Sequence, residues 1–389
     1  MRMVTLTAGF IPLVDAAPLI VAHEMGFAAE EGIALDLRPA PSWSSLRDML
    51  SFGQVDAAHM LSPVPIAASM GLGGVGTALA AVSVMSVNGN VIGVNDQLER
   101  KLRDLGHDFD FRDPRAAGAA LFKAKTGRLR IGVPFPFSMH CELVSYWLES
   151  LGWDLSGDLD IRTVPPPLMG DAITAGEIDA FCVGEPWGSR AVDQNGAALL
   201  LPGSAIWNFA PEKVLAVRTD WAETEQSLLF RLIRAVWRAG RWLAQDGSAL
   251  LAAEMLSRPG YLNLSAEVLE RALSGQLVIS RKGEERHADR FVEFHNGSTT
   301  FPWRSQAAWI ADRLARRSGK PPEIARAAAA VFRPDLYRQA MHHTEADLPG
   351  ASGKVEGSLS ADTAVASAGG RVILYRDSFF DGRIFEPQE

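Results

Sequence analysis

Short apolar runs of strand length alternate with amphipathic stretches of helix length from residue 4 to about residue 217. This alternation confines the chain to an α/β fold with a mainly parallel sheet. A strand covered on both faces reads as a continuous apolar run, and the helix after it returns the chain to start a parallel neighbour. Strands are predicted over 4–9, 33–38 and 57–61, with helices over 16–26, 42–52 and 63–70. Ser42, Ser44 or Ser45 can cap the second helix, and Gly26 and Gly32 stop the first.

Beyond the glycine-rich stretch 71–76, an extended run over 77–94 is interrupted by Asn88-Gly89-Asn90. That tripeptide either turns a hairpin or marks where the chain crosses between two lobes. Strands over 129–133, 160–164, 180–183 and 213–217 follow, the last able to return to the first lobe. After residue 219 the pattern turns helical, most clearly over 227–244 and 265–275. The layout predicts a discontinuous lobe I over 1–86 plus about 205–349, a lobe II over 87–204, and a tail over 350–389. Over 350–370, Gly, Ala and Ser give that tail the composition of a linker. Between the lobes a cleft is expected, and ligands of such sheets sit beyond the carboxyl ends of the strands.

With 389 residues, 47% of them hydrophobic, the chain can bury the core of one broad or two ordinary domains. A net charge of −8 disfavours direct nucleic-acid binding. No apolar run approaches the roughly 18 residues of a membrane span, so no membrane partner is expected. The first strand starts almost at once, with no secretory-type apolar run before it, and the expected location is cytoplasmic. Cys141 and Cys182 lack C-x-x-C spacing and read as small buried hydrophobes.

No catalytic signature emerges. The sequence has no G-x-S-x-G elbow, Walker loop, H-E-x-x-H or dinucleotide fingerprint, and the 71–76 stretch lacks the Lys-Ser/Thr of a phosphate loop. The eight histidines are dispersed, so neither a metal site nor a cofactor is implied. What remains is a set of polar residues at strand ends and helix starts, the positions that face one cleft. Trp43 opens a helix and can offer its indole N–H or simply pack. Asn90 is a turn residue or a donor. His140 stands in the first turn of a helix, where free amides and the dipole favour an anion. His59 reads as a ligand or as a hydrogen-bonded core histidine. Lys213 lies in an otherwise buried run, so its ammonium needs Glu212, Glu185 or a bound anion as partner.

These motifs have a familiar arrangement. The segments 9–18, Ser42-Trp43 with Arg47-Asp48, 56–61 with Pro63 and Pro65, Asn88-Gly89-Asn90, Met139-His140, Pro165-Pro166-Pro167, 181–187, Pro211-Glu212-Lys213 and the late 379–382 patch resemble the nitrate- and bicarbonate-binding protein family. The resemblance implies a two-lobed, periplasmic-binding-protein-like clamshell of type II with a helical C-terminal portion. It implies a nitrate or nitrite pocket formed by Trp43, Gly89 (through its backbone), Asn90, His140 and Lys213, with His59, Glu185 and Trp187 behind them. Nitrate-binding members carry Gln where this chain has Asn90, and bicarbonate-binding members carry an acid and a metal at the Lys213 place. Nitrate accepts hydrogen bonds and donates none, so donors plus about one positive charge suit it.

Together with the expected location, the likeness points to the cytoplasmic sensor branch, in which nitrate or nitrite releases an RNA-binding transcription antiterminator of the ANTAR type. An extracytoplasmic nitrate-binding subunit of an ABC importer is the first alternative. A clamshell enzyme similar to thiamine-pyrimidine synthases is the second.

Overall fold

A computed structural model describes residues 3–74, 76–346, 348–367 and 370–387. Position 75 of the glycine-rich stretch, and positions 368, 369, 388 and 389 of the tail, lie outside the described residues, as do 1, 2 and 347. The chain first lays down β1 (Val4–Phe10), β2 (Ile33–Pro39), β3 (Ala57–Leu61) and β4 (Leu79–Asn88). It then enters a second sheet through β5 (Asn90–Val94), β6 (Leu129–Val133), β7 (Leu159–Thr163), β8 (Ala180–Gly184) and β9 (Ala198–Pro202). Finally β10 (Pro211–Arg218) returns to the first sheet. Spatial order is Val292–Glu293, β4, β10, β3, β1, β2 in the first sheet and β7, β6, β8, β5, β9 in the second. Every residue of β3, β5, β8 and β9 is buried, as the continuous apolar runs require.

The expectation of mainly parallel sheets needs correction, because both are mixed. β1 pairs parallel with β2 and β3, and β6 pairs parallel with β7 and β8. β10 runs antiparallel to β3 and β4, and β5 antiparallel to β8 and β9. Gly89 alone separates β4 from β5, so no helix turns the chain round before the second sheet begins. The first residue of β5 is therefore level with the end of β8 (Asn90 opposite Gly184), and the start of β10 with the ends of β4 and β3. Polar residues at the starts of β5 and β10 thus meet the carboxyl ends of the parallel strands, between the sheets.

Asn88-Gly89-Asn90 is a crossing and not a hairpin. Asn88 and Gly89 take left-handed conformations, φ 61° and 94°. Glycine suits the second because a Cβ there would lie 3.1 Å from Val292 Cγ2. The Asn88 side chain ties the outgoing crossing to the returning one: Nδ2 donates to the carbonyl of Asn208 at 3.0 Å, and Oδ1 accepts from the Ala210 amide at 3.2 Å.

Helices dominate the later chain, including Gln226–Leu243 and Arg304–Ser318. The segment read as linker-like is instead anchored. It contains a hairpin of Thr363–Ser367 with Gly370–Leu374, and Phe379 is stacked on Trp207 and Trp309 with centroids 4.8 and 5.7 Å apart. Lys354 is paired with both Glu356 and Asp377, whose carboxylates are fully buried. Small residues set the composition of this segment, but a few acidic and aromatic side chains fix its position. Both cysteines are buried and free. Among the described residues no helix is long and apolar enough to cross a membrane.

Candidate functional site

Each candidate side chain is placed by a local feature of its element. Trp43 is the first residue of the helix Trp43–Ser51, capped by Ser42, whose Oγ accepts the Ser45 amide. His140 is in the first turn of Met139–Ser150, where Ser138 caps in the same way through the Cys141 amide. Asn90 opens β5. Gly203 makes room for it, since a Cβ there would fall 1.8 Å from Asn90 Oδ1. In a regular strand Glu212 and Lys213 would point to opposite faces. The pairing of β10 with β4 shifts register between Pro211 and Lys213, and this bulge lets the two side chains meet.

Trp43, His59, Asn90, His140, Glu212 and Lys213 form one polar cluster with Asp15, and none is more than 1% exposed. Lys213 Nζ lies 2.7 Å from Asp15 Oδ2 and 3.0 Å from Glu212 Oε1. His59 Nε2 is 2.9 Å from the other Asp15 oxygen. Asn90 Nδ2 donates to Glu212 Oε2 at 2.7 Å, and His140 Nδ1 lies 3.2 Å from Glu212 Oε1. The ammonium also stands 5.5 Å from the centre of the Trp43 ring, within cation–π range. Asn90 and His140 come from the second sheet and its helix. The other members come from the first.

Burial and the paired charges act against each other here. Burial by itself would raise the Asp15 carboxyl, but the Lys213 charge and His59 outweigh it and hold the group well below the usual carboxylate range. Burial would lower the Lys213 ammonium, yet Asp15 and Glu212 leave it raised. For Glu212 burial prevails over Lys213 and the Asn90 bond, and the carboxyl is pushed up. Burial lowers both imidazoles, His140 strongly, with the Lys213 charge adding to the effect there. They are neutral rings near pH 7. The Trp43 indole N–H and both ring nitrogens of His140 are buried without a hydrogen-bond partner among the described residues.

The sequence reading therefore places five side chains together and misjudges their charge. Lys213 does not supply an isolated positive charge, because two carboxylates neutralise it, as an ammonium sealed from water requires. Glu212 stood among its foreseen partners, whereas Asp15 was missed. Its signal was an acid inside the apolar stretch that begins at Ile11 and ends at Ala22. Gly89 shapes the crossing, and its carbonyl accepts the Glu185 amide at 3.3 Å. Glu185 and Trp187 engage other groups: the Glu185 carboxylate accepts the Ser189 amide, and the Trp187 indole donates to the carbonyl of Pro12. Among the described residues no group of three or more His, Cys, Asp and Glu side chains is arranged to hold a metal ion.

Known proteins share this architecture. The NMT1-like family model matches residues 2–257. A nitrate import ATP-binding protein, NrtC, from Synechocystis is 33% identical over 351 residues, covering 88% of this chain and 51% of the relative, so the chain spans about half of that protein's length. The nitrate/nitrite binding protein NrtA of Synechococcus elongatus is 27% identical over 98% of this chain and 83% of its own. The crystal structure of the periplasmic nitrate-binding protein NrtA from Synechocystis superposes with a TM-score of 0.84 at 26% identity, covering 99% of this chain and 96% of that one. The fold is thus the two-lobed, periplasmic-binding-protein-like α/β clamshell, with helical portions.

Proposed function

The chain belongs to the NMT1-like family, and on that premise we propose that it binds nitrate or nitrite between its lobes, against Trp43, Asn90, His140 and Lys213. The observation that carries this reading is the buried indole N–H of Trp43, which among the described residues has no partner and stands beside the Lys213 ammonium. A buried donor without an acceptor is destabilising by about 1–3 kcal/mol, and a small oxyanion supplies the acceptor. With both ring nitrogens of His140 buried and without a hydrogen-bond partner among the described residues, the tautomer that carries its single N–H on Nε2 adds a second donor. Melting curves recorded with rising potassium nitrate, nitrite or bicarbonate test it, since a ligand that binds only the folded form raises stability by mass action. Nitrate and nitrite are expected to raise the melting temperature. A response to bicarbonate alone would refute the reading.

In this proposal the chain works in the cytoplasm as a sensor: the anion bridges the lobes, favours the closed state and releases an ANTAR-type antiterminator gripped by the open one. Coupling is reciprocal, so the regulator weakens nitrate binding by the factor with which nitrate weakens the complex. A regulator complex whose dissociation constant ignores saturating nitrate would exclude the sensor role. The second reading is an extracytoplasmic subunit of a nitrate importer, favoured by relatives named for nitrate import and by a periplasmic structural neighbour. Cell fractionation separates the two, with periplasmic recovery favouring import.

A further inference from the structure

The Glu212 carboxylate occupies the donors that an oxyanion would use. Asn90 Nδ2 donates to one of its oxygens at 2.7 Å, Lys213 Nζ donates to the other at 3.0 Å, and His140 Nδ1 lies 3.2 Å from that second oxygen. An ionised carboxylate and a nitrate are both flat, delocalised oxyanion groups, so the two compete for a single set of N–H donors. Charge adds to the conflict. One ammonium already faces two buried carboxylates, and a third anion would leave the water-free cluster strongly negative.

We propose that Glu212 is a specificity-determining residue, and that the anion enters the cluster together with one proton that is taken up on the Glu212 carboxyl. The inference rests on the reading that this cluster is the anion site. The balance is simple: ionised Glu212, one proton and one nitrate give neutral Glu212 with nitrate bound. The neutral carboxyl releases Asn90 and Lys213 to the anion and adds an O–H donor of its own. A permanently anionic, acceptor-only ligand then faces donors on every side.

The groups facing Glu212 come from every element packed around it. They are Lys213 on its own strand, Asp15 from the turn before the first long helix, Asn90 at the start of β5, and His140 from the helix Met139–Ser150. The Cys182 thiol on β8 is near enough to feel the Glu212 charge, and His59 stands behind Asp15. Lys213 and His59 keep Asp15 ionised, and a neutral imidazole already has an N–H to offer without gaining a proton. Glu212 is the carboxyl in which burial prevails over the neighbouring charge and favours the protonated form.

Calorimetric titration of the whole protein with potassium nitrate between pH 5.5 and 8.5, in buffers of differing ionisation enthalpy, tests the inference. Above the titration of Glu212 the affinity is expected to fall about tenfold per pH unit, with close to one proton taken up per nitrate. Glu212→Gln, whose amide N–H replaces the acid proton, is expected to bind with affinity independent of pH and without proton uptake. Infrared difference spectra of the wild type, nitrate-bound minus free, give a second readout that needs no variant: a protonated-carboxyl band is expected to appear. Affinity that stays level with pH and no proton uptake would overturn the inference and leave the anion site standing, as would uptake that persists in Glu212→Gln. Absence of nitrate binding by both proteins at every pH would overturn the anion-site reading, and the inference with it.

Discussion

His140 Nδ1, on a helix of the second lobe, lies 3.2 Å from Oε1 of Glu212, on a strand of the first. Asn90 makes a second link of this kind at 2.7 Å, whereas the contact of Lys213 with Asp15 stays within the first lobe. The cluster is thus built partly within the first lobe and partly across the two. Parting the lobes separates Asn90 and His140 from Glu212 and admits water to the ammonium. Ligand affinity and lobe closure are then expected to change together.

Lys213→Ala removes the one positive charge from a place holding two buried carboxylates. Breaking such a pair from one side is destabilising by about 3–5 kcal/mol, because the remaining charges lose their partner. A lower urea midpoint with the slope unchanged is expected, together with loss of the nitrate-dependent rise in melting temperature. A variant that retains the full nitrate response would show that the anion binds elsewhere.

Glu185 offers a pH test within reach of ordinary buffers. Burial raises its carboxyl to about 7, against the lowering effect of its bonds with Ser189. With the folded value above the unfolded one, the stability it contributes is full below the unfolded value of about 4.3 and is lost as pH rises through about 7. Glu185→Gln keeps an acceptor for the Ser189 amide and cannot ionise. Its stability relative to wild type is expected to increase from pH 5 to pH 7.5, by roughly 3 kcal/mol at most, and then level off. Chemical denaturation across that range measures it. A constant difference between the two proteins would show that Glu185 titrates normally.

Gly203 is the spacer behind Asn90. Its hydrogen occupies the place where a Cβ would overlap Asn90 Oδ1, so Gly203→Ala forces the amide to turn away from the cluster, where its N–H reaches neither Glu212 nor a bound anion. A hydrogen bond to a charged group is worth about 1.5–3 kcal/mol. Under the proposed function, nitrate affinity is expected to fall by about tenfold or more. Titration calorimetry decides, and an unchanged affinity would remove Asn90 from the anion's donors.

How far the sequence could be read depended on which signals are local. β3, β5 and β8 were legible because strands covered on both faces leave unbroken apolar runs, and Trp43 and His140 because serine caps announce the helices they open. The antiparallel insertion of β5 and β10 was not legible, since strand direction follows from the two crossings, Gly89 and residues 203–210, which carry no periodicity. Neither was the bulge at Glu212: Glu212 was one of three partners open to Lys213, but adjacent residues in a strand pattern are read onto opposite faces, so nothing local singled it out. Asp15 lies about two hundred residues from Lys213 in the chain and meets it only through the fold.

The tail was misread for a related reason, and the error defines a last test. Phe379 packs against both Trp207 of the returning crossing and Trp309 of a first-lobe helix, two indoles that also touch each other with centroids 4.8 Å apart, while the backbone on either side of it bonds to that crossing: Asn208 N donates to Ser378 O at 3.1 Å, and Phe380 N donates to Ile206 O at 2.9 Å. Tyr146, six residues after His140 on the same helix, adds its hydroxyl to Asp381 at 2.8 Å. The segment 378–381 therefore joins the returning crossing to both lobes. Phe379→Ala removes a ring that is 3% exposed, and large-to-small changes of this kind are destabilising by about 3–5 kcal/mol when the surroundings relax only partly. A linker residue would give almost no change. Denaturant unfolding followed by tryptophan fluorescence separates the two outcomes, because Trp207 and Trp309 both lose their stacking partner, and a shift below about 0.5 kcal/mol would return the segment to the class of solvated tethers.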